Sequence, residues 1–261
     1  MAMDGIVVIK CGGSTVEELS ADFFQSIAAM KDMGKHPIIV HGGGPAINDM
    51  LVTMQIKPEF VDGLRKTTAE VLETAELVLS GKVNKKIVTA FQDTSKTAIG
   101  LSGVDGDLIK ASPLNLDTLG YVGNVEDVNQ TLLLHIVKTG SIPVIAPIAS
   151  DINGGKLNVN ADVAAAAVAQ AMQAEELMFV TDVDGVMIDG NMQETLTVSD
   201  IDKLVNDGTI YGGMIPKVRA AADSLTDKLE KVTIANGNGK NRHENGTLKG
   251  TTIIKEKRAV H

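Results

Sequence analysis

Short apolar runs alternate with segments of helical period along the whole chain, and this alternation is the strongest constraint on its fold. Runs such as Ile6-Val7-Val8-Ile9 and Pro37-Ile38-Ile39-Val40 have the length and branched composition of buried strands. Longer segments, such as 20–33 and the alanine-rich 163–172, lie between such runs and are typical of helices. The alternation predicts an α/β protein with a mainly parallel sheet and helices on both of its faces.

Glycine-rich turns follow several of the predicted strands. Gly12-Gly13 comes after Lys10, the triple glycine 42–44 leads into a helix at Pro45, and Gly212-Gly213 precedes Lys217. Glycine lets the backbone approach a ligand with its N–H groups exposed, which favours anion binding, and phosphate is the anion we expect. An ordinary strand–helix turn with a solvated lysine is the alternative for the first of these turns.

The first two turns do not match the nucleotide-binding glycine patterns. No Gly-Lys-Ser/Thr follows them, and Ile47 stands where a dinucleotide motif would have its last glycine. This difference disfavours a P-loop ATPase and a standard Rossmann dehydrogenase.

Charge and cysteine content narrow the function classes further. The formal net charge is −9 without a long basic run, which argues against nucleic acid and anionic membranes as partners. Cys11 is the single cysteine, so it forms no intrachain disulfide, and we expect it to pack in the core. Histidine and cysteine show no metal-ligand spacing, and no leader or membrane span is recognisable, so a cytoplasmic location is expected.

Polar residues at the ends of predicted strands indicate one site. The carboxyl ends of parallel strands meet at one edge of a sheet, where ligands bind. Lys10, Asn158, Asp182 and the turn before Lys217 all belong to such ends.

Three further features lie near these ends. Arg65 follows an Asp62-Gly63 turn, which predicts a hairpin. Asp162 comes two residues after a predicted N-cap, Asn160, so its alternative role is to complement the helix dipole. The sequence from Asp182 hints at calcium, but Met187 stands where an EF-hand loop needs glycine.

Seven motifs in a fixed order resemble those of the amino acid kinase family, and the resemblance covers nearly the whole chain. They are IVVIKCGGS at 6–14, VHGGGPAIN at 40–48, DGLRKT at 62–67, GLSGVDGDLI at 100–109, LNVNADVAA at 157–165, TDVDGVM at 181–187 and GGMIPKV at 212–218. The resemblance implies an open three-layer αβα sandwich around one central, mainly parallel sheet. An N-terminal lobe, residues 1–175, would bind the amino acid and dimerise, and a C-terminal lobe, residues 176–261, would bind ATP.

The resemblance also implies roles for individual residues. Lys10 and Lys217 would stabilise the transferring phosphoryl group, and Asp162 would position both lysines. Gly43 and Gly44 would donate backbone hydrogen bonds to the amino acid, Arg65 would bind its α-carboxylate, and Asn158 would contact its acetamido end. The residues expected on the nucleotide side are Gly12, Gly13, Asp182, Val183, Asp184, Gly185, Val186, Met187, Thr209, Ile210 and Tyr211. No protein metal ligand is expected; Mg²⁺ would be held mainly by the phosphates of ATP.

Within the family, the HGGGP, GLR and NVNAD segments resemble members whose acceptor is N-acetyl-L-glutamate. The implied reaction moves the γ-phosphoryl group of ATP to the side-chain carboxylate, giving an acyl phosphate in arginine biosynthesis. The chemistry suits these residues, because a carboxylate needs no general base and the barrier is repulsion between anions. The alternatives are a sibling kinase acting on acetylaminoadipate, a carrier-bound amino acid or aspartate, and a non-catalytic amino-acid sensor on the same scaffold.

Some features differ from the family pattern. Cys11 stands where a larger apolar residue is usual, and Asp107 and the loop 236–246 also differ. Arginine-inhibited members carry an additional N-terminal helix that builds a hexamer. The first predicted strand starts about five residues into the chain, so an arginine-insensitive homodimer is expected.

Overall fold

A computed structural model describes residues 3–12 and 15–256 of the chain. Its strands are β1 Ile6–Cys11, β2 His36–His41, β3 Phe60–Val61, β4 Leu64–Arg65, β5 Ala98–Ser102, β6 Ile109–Pro113, β7 Val122–Val128, β8 Ile142–Ala146, β9 Ile148–Asp151, β10 Lys156–Val159, β11 Glu176–Thr181, β12 Met187–Ile188, β13 Asn191–Met192, β14 Thr195–Thr197, β15 Lys231–Asn236 and β16 Gly250–Ile254.

The α-helices are α1 Thr15–Glu18, α2 Ala21–Asp32, α3 Gly44–Thr53, α4 Ala69–Glu76, α5 Asn84–Ala90, α6 Leu116–Leu119, α7 Gln130–Lys138, α8 Ala161–Ala171, α9 Val198–Asn206 and α10 Met214–Ser224. A π-helical segment, Leu77–Val83, joins α4 to α5, and short 3₁₀ turns span Phe91–Thr94 and Asp105–Asp107. In the described part of the chain, no helix has both the length and the hydropathy needed to cross a membrane.

One eight-stranded sheet, in the order β14-β16-β15-β11-β1-β2-β8-β5, runs through the molecule. The strands from β15 to β5 are parallel to one another, whereas β16 is antiparallel to β15 and parallel to β14. β1 lies between β2 and β11, so the chain leaves it toward one side of the sheet and later returns on the other. This is the position at which α/β sheets bind ligands, outside the carboxyl ends of their strands.

Side-chain alternation along the strands builds two cores, one on each face of the sheet. Ile6 and Val8 of β1 pack with α8 and α10, while Val7 and Ile9 pack with α2, α3 and the π-helical segment. Both faces are therefore covered by helices, which confirms the predicted three-layer αβα sandwich. Lys10 shares the parity of Ile6 and Val8 and extends toward the α8 side.

A closed four-stranded barrel, β10-β7-β6-β9, stands beside the end of β8. The sequence predicts hairpins between 103 and 124, and β6 does pair antiparallel with β7. The barrel closes because β9 pairs with β6 and with β10, and β10 returns to β7. It places Val122 and Asn158 next to one another at the rim facing the main sheet.

Three predicted helices differ in detail from the structure. The pattern over 68–93 predicts one helix; the segment is helical from Ala69, but the π-helical turns interrupt it. The pattern over 199–206 predicts a short helix with a serine cap; the structure caps it with Thr197 in a capping box with Asp200 and places Ser199 inside it. The alanine-rich composition of 163–172 predicts a helix buried almost all round; α8 buries one face and leaves Val163 43% exposed.

Candidate active site

Three adjoining cavities lie along the carboxyl edge of the sheet. The first has a volume of about 340 Å³ and is lined by the triple glycine 42–44, the β3–β4 hairpin and the barrel rim. The second, about 380 Å³, lies between β11 and the start of α10. Lys10, Gly12 and Asp162 line both of them, and the third cavity, about 490 Å³, shares Asp182 with the second.

Lys10 stands at the junction of the first two cavities. Its Nζ lies 2.7 Å from Asp162 Oδ1 and 5.8 Å from the centroid of the Phe179 ring, and its side chain is 15% exposed. Asp162 is placed by the start of α8, where Asn160 caps the helix and accepts a hydrogen bond from the Asp162 N–H. A side chain at Gly12 would displace the ammonium group, because a Cβ there would lie 1.9 Å from Lys10 Nζ.

Lys217 enters the same cleft from the first turn of α10. Lys10 and Lys217 both line the second cavity, as the sequence predicts. Lys217 Nζ, however, lies 2.7 Å from Asp182 Oδ1 and not against Asp162. This hydrogen bond holds the pKa of Asp182 below its usual value. In this structure each lysine therefore has its own carboxylate: Asp162, expected to position both lysines, pairs with Lys10, and Asp182 pairs with Lys217.

The glycine turn after β2 presents unused donors to the first cavity. Gly42 N–H donates to Cys11 O at 2.7 Å, and Gly43 O accepts from Ile47 N–H at 3.0 Å. The N–H groups of Gly43 and Gly44, at the start of α3, have no acceptor among the described residues. Free N–H groups at a helix N-terminus form a site for an anion.

Arg65 lies on the return strand of the β3–β4 hairpin, as predicted, and faces the same cavity. Its Nη2 donates to Gly44 O at 3.2 Å, and its guanidinium stacks 4.8 Å from the centroid of the Phe60 ring. Its Nη1 is buried and has no hydrogen-bond partner among the described residues. Partial burial lowers the pKa of this guanidinium, so an anionic partner would stabilise it.

Asn158 projects from β10 into the first cavity opposite the glycine turn. Its Nδ2 donates to Thr67 Oγ1 at 3.1 Å, and the Thr67 hydroxyl donates to Arg65 O at 2.8 Å. Thr67 is fully buried and couples the hairpin to the barrel. Sequence reasoning missed its role, although it lies within the DGLRKT motif beside Arg65.

Nine of the eleven residues predicted for the nucleotide side line the third cavity. Those that line the third cavity are Asp182, Val183, Asp184, Gly185, Val186, Met187, Thr209, Ile210 and Tyr211. Gly12 lies in the first two cavities, and Gly13 falls outside the described residues. Met214 and Asn236 also line the third cavity without having been predicted; Asn236 Nδ2 donates to Asp184 Oδ1 at 2.8 Å.

Cys11 packs in the core as expected. It is fully buried, and burial raises the pKa of its thiol to about 12, so it is not a nucleophile at neutral pH.

Comparison with known proteins agrees with this geometry. The chain is 51% identical over 254 residues to the acetylglutamate kinase of Halalkalibacterium halodurans, covering 97% of this chain and 98% of the relative. It is 50% identical over 254 residues to the acetylglutamate kinase of Geobacillus stearothermophilus, with the same coverage. The crystal structure of smu.665 from Streptococcus mutans UA159 superposes with a TM-score of 0.81 at 32% identity, covering 97% of this chain and 100% of that one.

The model of the amino acid kinase family matches residues 5–236. That range contains the central strands, all three cavities and the seven motifs noted in the sequence. The chain belongs to the amino acid kinase family.

Proposed function

We propose that this chain has acetylglutamate kinase activity, transferring the γ-phosphoryl group of ATP to the side-chain carboxylate of N-acetyl-L-glutamate. The observation that carries the proposal is the shared wall of two cavities, formed by Lys10, Gly12 and Asp162. A donor in one cavity and an acceptor in the other would meet at Lys10. The two relatives described above carry this activity in their names.

The reaction needs charge stabilisation more than proton transfer. The acceptor carboxylate attacks the γ-phosphorus, the bond from that phosphorus to the β,γ-bridging oxygen breaks, and ADP leaves with the electron pair. An acyl phosphate remains. Both reactants are anions, so preorganised positive groups are the main catalytic contribution. Lys10 would neutralise charge on the transferring group from the side of β1, and Lys217 from the side of α10.

The first cavity supplies partners for both ends of the amino acid. The unpaired Nη1 of Arg65 suits a carboxylate, for which a guanidinium offers two parallel N–H groups. We assign it to the α-carboxylate. Asn158 would contact the acetamido group, and the N–H groups of Gly43 and Gly44 would bind the reacting carboxylate. Preference for an N-acylated amino acid follows from Asn158 and Arg65 acting together.

The third cavity is assigned to the nucleoside of ATP, with its phosphates directed along the second cavity toward Lys10. Among the described residues, no three His, Cys, Asp or Glu side chains come together to hold a metal ion. Asp162 and Asp182 are each already paired with a lysine. We propose that Mg²⁺ arrives on the phosphates of ATP, where it would neutralise part of their charge.

The distribution of the cavity residues along the chain supports a division into two lobes. Every residue that lines the first cavity precedes residue 176, and every residue that lines the third follows it. We propose residues 1–175 as the amino-acid lobe and 176–261 as the ATP lobe. We also propose a homodimer formed through the first lobe, whose Val52, Met54 and Leu77 are 66%, 51% and 64% exposed.

A hydroxylamine trap, which captures acyl phosphates, tests the function. The purified protein would be incubated with Mg-ATP and N-acetyl-L-glutamate, acetylaminoadipate or aspartate in parallel. Trapped product with N-acetyl-L-glutamate at the highest kcat/KM supports the proposal. Preference for another acceptor would reassign the substrate. If no product forms with any of the three acceptors, the proposed kinase activity is refuted.

A further inference from the structure

His41 is a buried side chain next to the site for which the reaction has no evident use. It is the last residue of β2, directly before the glycine turn, and it is fully buried. Its Nδ1 lies 2.9 Å from Gly42 O, and its Nε2 lies 3.2 Å from Asn84 Nδ2. The ring therefore connects the turn to the first residue of α5.

The hydrogen bonds determine the protonation of this ring. A carbonyl oxygen only accepts, so Nδ1 carries the hydrogen and donates it to Gly42 O. Nε2 is then unprotonated and accepts from Asn84 Nδ2, whose two hydrogens are shared among this nitrogen, Val144 O and Leu101 O. Burial lowers the pKa of His41 to about 4, so the ring is neutral at physiological pH.

Asn84 is itself held in place by the main sheet. Its Nδ2 lies 2.9 Å from Val144 O of β8 and 3.2 Å from Leu101 O of β5. Its Oδ1 accepts from Lys85 Nζ at 3.1 Å. A Cβ at Gly100 would lie 2.0 Å from that oxygen, so the glycine makes room for the amide.

The peptide bond between Gly42 and Gly43 links the position of the His41 ring to the site. The carbonyl of Gly42 and the N–H of Gly43 belong to one planar trans peptide and point in opposite directions. A hydrogen bond that fixes Gly42 O inside the protein therefore fixes the direction of Gly43 N–H, which has no acceptor among the described residues.

We propose that His41, held by Asn84, is a positioning residue that directs Gly43 N–H at the amino acid in the first cavity. This inference rests on the proposed function, because it takes that cavity to bind the acceptor. The buried pair thus acts on affinity for the amino acid and not on the nucleotide.

Two substitutions separate the two hydrogen bonds of the ring. In His41→Asn, the side-chain amide can occupy the place of Nδ1 and still donate to Gly42 O. In His41→Gln, the longer amide reaches the place of Nε2, so contact with Asn84 is kept and contact with Gly42 is lost. We expect His41→Gln to raise KM for N-acetyl-L-glutamate about tenfold and His41→Asn to change it about twofold at most, as for the loss of one buried hydrogen bond. KM for ATP should be unchanged in both.

A matched control removes stability on a helix other than the one that carries Asn84. Leu133 is fully buried on α7 and lines none of the three cavities, so Leu133→Ala should lower Tm and leave both KM values unchanged. If the two His41 variants raise KM equally, or only in proportion to their loss of Tm, the residue is structural and the proposal is wrong.

NMR of the unmodified protein tests the proposal without an activity assay and without variants, which could fail to fold. The ¹⁵N-resolved NMR spectrum of the His41 ring, assigned through its backbone, should show a protonated Nδ1 and an acceptor Nε2. The opposite tautomer would overturn the proposal. If no acyl phosphate forms, the proposed function fails, whereas the ring spectrum and calorimetric binding of N-acetyl-L-glutamate to the His41 variants still test the positioning.

Discussion

Lys10 and Lys217 each hold one carboxylate at 2.7 Å in the cleft. Asp162 and Asp182 are 43% and 60% exposed, so these pairs are screened by water and contribute little to folding. The ion pairs instead orient the lysines: each carboxylate keeps an ammonium group directed into the second cavity at little cost in desolvation. Phosphate oxygens carry more charge than one carboxylate, so both lysines can exchange partners when a nucleotide binds.

The first prediction concerns these two lysines. Lys10→Ala and Lys217→Ala should each lower kcat by about 10²-fold or more, because a donor directed at developing charge is lost. Tm should stay close to that of the unmodified protein, since both ion pairs are partly exposed. Lys35→Ala is the control, because Lys35 pairs with Glu175 at 2.6 Å away from the cleft. Near-normal turnover in either cleft variant would remove that lysine from the mechanism.

Arg65 is predicted to act on the amino acid alone. Arg65→Lys keeps the charge but loses the planar fork and its stacking on Phe60, so KM for N-acetyl-L-glutamate should rise about tenfold. The adjacent Lys66→Arg, at an exposed pair with Glu59, should change neither KM. Steady-state kinetics with each substrate varied in turn measures this, and an effect confined to ATP would contradict the assignment.

The lowered pKa of His41 predicts how the stability of the protein depends on pH. Its pKa is about 4 in the folded chain against 6.5 as the ordinary value, so the unfolded chain binds a proton first as the pH falls. The stability from its neutral burial is fully present above pH 6.5 and is lost progressively toward pH 4, about 3 kcal/mol in total by linkage. Thermal unfolding between pH 7 and pH 4 should show a steeper loss for the unmodified protein than for His41→Asn, and parallel curves would contradict the shift.

At the scale of elements, the π-helical segment Leu77–Val83 packs directly against the glycine turn of the site. Leu79 and Val83 extend from it to the glycine turn: a Cβ at Gly43 would lie 2.8 Å from Leu79 Cδ2 and 3.2 Å from Val83 Cγ2. The π-helical segment thus places Leu79 and Val83 against the glycine turn, and Asn84, which follows the segment, lies beside His41. π-Turns of this kind are frequent at functional sites.

A substitution tests that packing. Gly43→Ala should raise KM for N-acetyl-L-glutamate several-fold, because its methyl group must displace Leu79 or tilt the peptide. Gly81→Ala is the control within the π-helical segment, since nothing lies within 4 Å of its Cβ position. The control should be neutral or slightly stabilising, because alanine restricts the unfolded chain. An unchanged KM in Gly43→Ala would show that the packing of Leu79 and Val83 on this turn does not affect the site.

The sequence predicts elements well where local pattern decides them and less well where distant pairing does. The strand β1 and the helix α2 follow from an apolar run and a helical period. The π-helical turns and the closed barrel do not. Leu79 and Val83 of the π-helical segment pack against the glycine turn, which is distant in sequence, and the barrel needs β9 and β10 to pair with β6 and β7.

At the scale of the whole molecule, the order of strands explains why the site residues converge. β1 has β2 on one side and β11 on the other, so Lys10, the glycine turn and Asp182 reach the same edge from three neighbouring strands. The sequence predicts this meeting because parallel strands share their carboxyl edge. It does not predict which carboxylate pairs with Lys217, since that choice depends on the position of α10 relative to β11.

The proposed homodimer belongs to this scale. Sedimentation velocity should give twice the chain mass, and Leu77→Lys should shift the equilibrium to monomer, because a charge would have to be buried in the interface. Leu116→Lys is the control, at a residue that is 57% exposed on α6 of the barrel. A monomer at all concentrations would refute the dimer, and an effect of the control alone would place the interface on the barrel.

The common wall of the first two cavities has a consequence for inhibition. Because Lys10, Gly12 and Asp162 border both, a single compound with a short tether could occupy the proposed acceptor and donor compartments. Linking the two halves makes the second binding event intramolecular, so such a bisubstrate compound should bind far more tightly than either half. It would also hold the compartments at one spacing, which makes it a suitable ligand for crystallisation.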